Sequence, residues 1–176
     1  MIRLRALRWP DDRDAIRSLD ISFTTDRIYD VRSTDLSFSL VETPVAPAWR
    51  KDYGLAELDA VPAHDYVAVA EVDEIAVGVA AIRLETWNRR AVLEHLYIDA
   101  AHRTRGLGRA LIDDVAREAR ERRARCLWLA TQNTNYGAIQ FYQRLGFQCC
   151  GLDTMLYDSP ESLAGEIAVF FARQLT

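Results

Sequence analysis

Lysine is almost missing from this chain: Lys51 is the only one among 22 basic residues, and the rest are arginine. Against 26 acidic residues they leave a formal charge of −4, so no global positive field favours nucleic acid as a partner. No apolar run approaches the roughly 20 residues of a membrane-spanning helix, and no membrane partner is expected. The opening stretch MIRLRALRW alternates and stops at Pro10, unlike the apolar centre of a signal peptide. Three cysteines, Cys126, Cys149 and Cys150, form an odd set with two adjacent members, which suits neither a disulfide framework nor a zinc site. A reducing cytoplasm is the compartment this predicts. The two best-known phosphate loops are missing as well. Gly108 is followed by Arg109 and Ala110 where a P-loop requires Lys and then Ser or Thr. A dinucleotide fingerprint begun at Gly106 meets Leu111 at its third small position. There is no internal repeat, and a chain of 176 residues is expected to form a single domain, 1–176, with a substantial core.

What is present is concentrated between Glu94 and Arg109, EHLYIDAAHRTRGLGR. This stretch predicts a strand ending near Ile98, a short polar turn, and a basic, glycine-bearing loop that opens into a helix. The first amides of a helix have no partner inside it and carry the positive end of the macrodipole, so this geometry favours phosphate. Gly106 and Gly108 let the backbone approach such a ligand, and Arg103, Arg105 and Arg109 add planar cationic groups.

The rest of the chain supplies a frame for that loop. Ile2, Leu4 and Ala6 alternate as a first strand, and Pro10, Asp11 and Asp12 open a helix with Ala15, Ile16 and Leu19 on its apolar side. From Asp20 to Asp65 the periodicity is poor. Phe38, Leu40 and Val41 suggest one strand, while Pro44, Pro47 and Pro62 break regular structure. Tyr66–Val72 and Ile75–Leu84 read as a hairpin about Asp73-Glu74, with Gly78 marking a bulge or close approach, and Val92–Ile98 follows as a third antiparallel strand. The next helix buries Leu107, Ala110, Leu111, Val115 and Ala119. Its Arg117, Arg120, Arg122 and Arg123 form a solvated face interleaved with acids, Asp113 lying four residues before Arg117, and not a nucleic-acid patch. Cys126–Ala130 suits a strand covered on both faces, and Tyr136–Leu145 a helix stopped by Gly146. Phe147–Gly151 and Thr154–Tyr157 predict two closing strands, and Pro160–Gln174 a final helix striped by Leu163, Ile167, Phe170 and Phe171.

The pattern Arg-x-x-Gly-x-Gly at Arg103, Gly106 and Gly108, after a strand and before a helix, resembles the pyrophosphate loop of the GNAT superfamily of N-acetyltransferases. The second half extends the resemblance: Asn135 in a polar turn, then a helix running through Ala138, Phe141 and Tyr142 to Leu145-Gly146-Phe147. The match spans about residues 66 to 158. It implies an α/β (α+β) fold with a central mixed, mostly antiparallel twisted sheet of about seven strands flanked by helices, here with an extra C-terminal helix. It also implies acetyl-CoA as co-substrate, held by Leu96, Tyr97 and Ile98 of the strand and by Arg103, Thr104, Arg105, Gly106, Leu107, Gly108 and Arg109 of the loop. Trp87-Asn88, Glu94, Thr131-Gln132-Asn133 with Asn135, and Gly151-Leu152-Asp153 leading to Tyr157 resemble in turn the streptothricin acetyltransferases within that superfamily. One departure stands out. Many relatives that acetylate protein termini carry a glutamate where this chain has Ala130, so no carboxylate there serves as base.

Acetyl transfer needs a neutral amine, whereas an alkyl ammonium has a pKa of about 10, so a base is required. Glu94 is the candidate: strand alternation places it with Val92, Leu96 and Ile98 in an apolar setting, acting through water, the alternative being an ordinary strand glutamate paired with an arginine. By resemblance, a backbone amide of Leu96–Ile98 receives the oxyanion of a tetrahedral intermediate, and Tyr142 protonates the departing thiolate, the alternative being that Tyr142 is simply core with Ala138, Ile139 and Leu145. Asp153, Tyr157 and Trp87 are candidates for the acceptor pocket, where a carboxylate holds a second amine, the alternative for Asp153 and Tyr157 being a polar turn and a strand aromatic. Asn135 either binds the cofactor or only caps its helix. His95 faces opposite to Glu94 by alternation, His64 and His102 have no partner at ligand spacing, and no metal is expected. Three functions fit these residues: N-acetylation of a small cationic amine such as the β-lysine amine of streptothricin, acetylation of proteins or peptides, and a CoA-binding module without turnover. A monomer or homodimer is expected.

Overall fold

The computed structural model describes residues 2–157 and 166–175. In chain order the elements are β1 (Ile2–Ala6), α1 (Arg13–Arg17), β2 (Phe23–Thr34), β3 (Ser37–Lys51), α2 (Leu55–Asp59), β4 (Tyr66–Val72), β5 (Ile75–Glu85), β6 (Arg90–Ile98), α3 (Leu107–Glu121), β7 (Cys126–Gln132), α4 (Tyr136–Arg144), β8 (Gln148–Asp153) and β9 (Ala168–Gln174), with single 3-10 turns at Val61–Ala63 and Ala100–His102. Seven strands are ordered β1-β4-β5-β6-β7-β9-β8, mostly antiparallel with one parallel pair, β6–β7, and β2 pairs with β3 in a separate ribbon. The chain divides into two compact units, one of Met1–Ser22, Asp52–Trp128 and Gln174–Thr176, the other of Phe23–Lys51 and Leu129–Arg173. Among the described residues no helix is long and apolar enough to cross a membrane.

In the first unit the expected hairpin forms. Asp73 and Glu74 take φ of 50° and 67°, the left-handed pair of a two-residue turn, and Val72 pairs with Ile75. The ladder then slips, Glu71 facing Ala76 and Ala70 facing Gly78, so Val77 is the extra residue of a bulge. Beside it the backbones crowd: a Cβ on Gly78 would lie 2.9 Å from the Tyr97 carbonyl oxygen and 3.2 Å from Ile98 Cγ1. Gly78→Ala is therefore expected to cost about 1–3 kcal/mol in denaturant melts, by pushing β6 outward at Tyr97 and Ile98. Unchanged stability would show that the strands part freely there.

One core cluster gathers Ile16, Leu19, Ile21, Leu58, Val61, Val67, Val69 and Val79. Helix α3 lies against β4, β5 and β6, burying Leu107, Leu111, Ile112, Val115 and Ala119. Arg117 pairs with Asp114. Asp114 also accepts from the Tyr66 hydroxyl at 2.7 Å, tying the helix to β4. Burial, and then that bond, pushes the Tyr66 phenol up to about 12.

Arg5 sits between two acids, its terminal nitrogens donating to both Asp12 oxygens at 2.7 and 2.6 Å and its Nε to Glu71 at 2.5 Å. All three side chains are nearly buried. Burial works against ionisation of Asp12, but the bonds from Arg5 and the Arg8 amide prevail and hold its carboxyl below the usual range. Arg5→Met strands two buried carboxylates and is expected to cost about 3–5 kcal/mol at pH 7 by urea unfolding. Asp12 with a depressed pKa stabilises above its unfolded value of about 3.9, and that stability is lost as pH falls through the folded value. The gap between wild type and variant should narrow on acidification. A constant gap would remove Asp12 from the account.

The second unit departs most from expectation. Where the sequence predicted an irregular segment with one strand, β2 and β3 form a long ribbon, running from Phe23 opposite Lys51 to Thr34 opposite Ser37. Pro44 and Pro47 lie inside β3, which is tolerated because this strand has a partner on one edge only. Asn133 anchors the ribbon: its Nδ2 and carbonyl bond the Tyr29 backbone at 2.8 and 2.9 Å, and its amide and Oδ1 bond Ile167. Buried Glu166 accepts from Lys51 Nζ at 2.6 Å and from Thr134 Oγ1 at 2.8 Å.

The predicted C-terminal helix is not observed where it can be examined. Ala168–Gln174 is β9, pairing antiparallel with β8 from Asp153 opposite Ala168 to Gln148 opposite Ala172. The remainder of that prediction, 160–165, lies outside the described residues. A run of Val169, Phe170 and Phe171 satisfies either period, and its β-branched and aromatic residues suit a strand. The strand expected at Thr154–Tyr157 is a bend begun by Asp153, whose Oδ1 accepts from the Met155 amide at 2.8 Å. Helix α4 follows prediction, with Asn135 at its start and Gly146 at φ +80° after its end.

Candidate functional site

Strand β6 is released from its parallel neighbour early. The β6–β7 ladder pairs Arg90 with Cys126, Ala91 with Leu127 and Val92 with Trp128, and among the described residues no pair follows. From Leu93 to Ile98, the segment holding Leu96, Tyr97 and Ile98, that edge of β6 has no ladder to β7 among the described residues. On its other side β6 carries a bulge: Ala81 faces His95 and Ile82 faces Leu93, so Glu94 is the extra residue.

After β6, Asp99 stabilises the turn by accepting from the amides of Ala101 and Asp20, each at 3.0 Å. Arg103 then departs from its predicted role. Its Nε donates to the Ile98 carbonyl at 3.0 Å, and its terminal nitrogens to the carbonyls of Ser22 at 2.6 Å and Asp20 at 3.1 Å. It straps the loop to the chain beside it, because three converging carbonyls are a better match for a half-buried guanidinium than open solvent. Thr104 and Gly106 take φ of 64° and 82°, turning the backbone into α3. No side chain caps the helix at Gly106, and the first internal bond is from Ala110 to the Gly106 carbonyl. The amides of Leu107, Gly108 and Arg109 are thus the free donors of a 15-residue helix, flanked by the exposed Arg105 and Arg109. The Leu107 side chain is buried in the core, so only its backbone faces a ligand. These donors fit a diphosphate.

Glu94 does not occupy the apolar setting that alternation implied, since the bulge breaks the alternation. Arg83 donates to it through Nε at 2.7 Å and a terminal nitrogen at 3.2 Å, and His64 Nε2 lies 2.8 Å from Oε2. The bond from Arg83, opposed by partial burial and reinforced by His64, holds the carboxyl below the ordinary glutamate range. His64 Nδ1 meets the Val61 carbonyl at 2.9 Å. His95, judged to face away from Glu94, instead packs edge-on against His64 with centroids 4.8 Å apart. Its Nδ1 is 3.2 Å from the Tyr97 hydroxyl, which donates to Glu57 at 3.2 Å. Burial, then the neighbouring His64, lowers the His95 pKa. The readings that His64 has no partner and that His95 faces away from Glu94 are corrected: the β4–β5–β6 register brings His64, Arg83, Glu94 and His95 together.

Tyr142 lies in the second unit, 8% exposed, its ring against Phe141, Phe147 and Phe171. Among the described residues nothing bonds its hydroxyl, and burial alone pushes the phenol well above its usual range. The Asn135 side chain accepts from the Ala138 amide at 3.2 Å, the capping role. Asp153 keeps one oxygen outside its turn bond, Tyr157 is half-buried, and Trp87 is exposed in the turn before β6. The sequence had not marked a further group in this unit, where Tyr136 stacks on Tyr29 at 5.5 Å and bonds Glu42 at 3.1 Å. The ribbon's neighbouring hollow is lined by Asp26, Arg27, Glu42 and Pro44.

Comparison with known proteins gives a consistent result. The family model described as Acetyltransferase (GNAT) family matches residues 26–147. A streptothricin acetyltransferase of Streptomyces lavendulae is 38% identical over 172 residues, covering 93% of this chain and 90% of its own. A crystal structure of nourseothricin acetyltransferase superposes with a TM-score of 0.89 at 38% identity, covering 99% of each chain. A Bacillus anthracis str. Ames protein solved in complex with acetyl coenzyme A shares the fold at 23% identity, with a TM-score of 0.83 and 99% of each chain covered.

Proposed function

Because this chain belongs to the acetyltransferase (GNAT) family and is an acetyl-CoA-dependent acetyltransferase, we propose that its acceptor is a primary amine of a small cationic molecule, specifically the β-lysine amine of a streptothricin-type antibiotic. The observation that carries this acceptor is the similarity to the Streptomyces lavendulae enzyme along nearly the whole chain.

Acetyl-CoA supplies an activated acetyl thioester when bound. The amides of Leu107, Gly108 and Arg109 and the guanidinium groups of Arg105 and Arg109 hold its diphosphate, while Arg103 fixes the loop that presents them. Along β6, past the end of its ladder to β7, a backbone amide between Leu96 and Ile98 receives the negative charge that develops on the acetyl oxygen. Glu94, kept ionised by Arg83 and His64, accepts the amine proton through water. Tyr142 keeps its proton in an apolar surround until the sulfur departs, and then donates it. Asp153, Tyr157 and Trp87 are the side chains assigned by this reading to the acceptor, and Asn135, besides its cap, to the cofactor.

The test is thiol release from acetyl-CoA across a panel of amines including streptothricin and short peptides. Turnover with streptothricin is expected. Turnover with peptides alone would overturn the acceptor, and cofactor binding without turnover on any amine would overturn the catalytic reading.

A further inference from the structure

His64, Glu94 and His95 each offer one ligand atom, and these atoms lie within 4.8 Å of one another. We propose that the three form a binding site for a divalent transition-metal ion, with zinc the best fit, beside β6 in the first unit. Two imidazoles and one carboxylate make the donor set of three-ligand zinc sites, which leave a fourth position for water.

The surroundings of the two rings orient them for this role. His64 Nδ1 is 2.9 Å from the Val61 carbonyl, which can only accept, so Nδ1 carries the proton and Nε2 is turned toward Glu94. The Tyr97 hydroxyl gives its own hydrogen to Glu57, so it accepts from His95 Nδ1, and the lone pair of His95 is left on Nε2. Each ring is therefore held in the tautomer a metal ligand needs by an acceptor on its far side, the usual arrangement behind ligating histidines. The bulge at Glu94 supplies the third ligand, since it lets two residues adjacent in sequence, Glu94 and His95, serve one locus. Arg83 Nε holds Glu94 Oε1 at 2.7 Å and a terminal nitrogen of Arg83 reaches Oε2 at 3.2 Å; Oε2, 2.8 Å from His64 Nε2, is the oxygen that faces the ion.

The site is independent of the acceptor proposed above, although occupancy would engage the Glu94 lone pair used for transfer and so inhibit it. Binding readouts stand whether or not Glu94 is the base. Metal-free protein carrying Cys149→Ser and Cys150→Ser, which removes the two exposed thiols, would be titrated with zinc chloride at pH 7.5 by calorimetry. One equivalent is expected, weakened by about tenfold or more in His64→Gln and in His95→Gln and unchanged in His102→Gln. Zinc X-ray absorption on the otherwise wild-type complex should show nitrogen and oxygen neighbours at about 2.0–2.2 Å and no sulfur, a measurement that decides the matter even where a histidine variant fails to fold. Absence of stoichiometric binding, binding that survives both histidine changes, or sulfur in the first coordination sphere would each overturn the proposal.

Discussion

Tyr142→Phe should lower kcat for acetyl transfer by about 10²- to 10³-fold while leaving the melting temperature and the KM for acetyl-CoA near wild type. The separation between the two effects follows from the surroundings of the side chain. Its ring fills a space bounded by Phe141, Phe147 and Phe171, and phenylalanine fills the same space. Among the described residues the hydroxyl has no partner, so its removal strands no donor or acceptor. A purely structural tyrosine would accordingly give a silent variant. A proton donor to a departing thiolate would not, because burial keeps the phenol protonated across the accessible pH range and its deletion leaves water as the only source. The loss should therefore be similar at every pH tested. Steady-state kinetics beside a thermal melt decides: kcat within twofold of wild type would return Tyr142 to the core.

The parts of this fold that were legible are those whose pattern has one cause. The β4–β5 hairpin is announced by two apolar runs about Asp73-Glu74, α3 by a single buried stripe, and α4 by an asparagine cap and a glycine stop. The family resemblance carried by Arg103, Gly106 and Gly108 and by Asn135 to Phe147 is borne out by the family match over 26–147. The ribbon β2–β3 was hidden because most of its residues lie partly or fully exposed, so selection for a dry face leaves no alternation to read. The strand β9 was misread because Ile167, Phe170 and Phe171 meet a helical period as well as a short buried strand does.

At the site, the loop and its glycines were visible, but the division of labour among its arginines was not. Arg103 is held by carbonyls of Asp20 and Ser22, 83 and 81 residues earlier, and nothing local announces such a contact. The cluster at Glu94 was nearer to being readable. The two-residue turn and the bulge after it set Tyr66 opposite Ile82, so His64 falls at the end of β5 near Arg83 and Leu84, and the β5–β6 pairing carries that end to Leu93. The missing step was the second bulge, which costs alternation one residue and puts Glu94 among charged groups instead of apolar ones.

That change of setting fixes what Glu94→Gln should do. The side chain keeps its size and one oxygen for Arg83 and His64, so folding should be preserved, while the proton acceptor is gone. A drop in kcat/KM of about 10²-fold is expected. The pH profile distinguishes this from a loss of packing. An ordinary glutamate titrates at about 4.3, and Arg83, with His64 and against partial burial, moves Glu94 lower still, so the carboxylate is fully ionised throughout the neutral range. The rise of kcat/KM with pH must then come from the acceptor amine losing its proton, and the variant should lie below wild type with the same slope and no shift of the limb. A wild-type limb near pH 6 that vanishes in Glu94→Gln would mean the carboxyl is raised and not lowered, contrary to the geometry at Arg83. A variant retaining more than half of wild-type kcat/KM would make the Arg83–Glu94 pair a cross-strand tie and leave deprotonation of the amine to solvent.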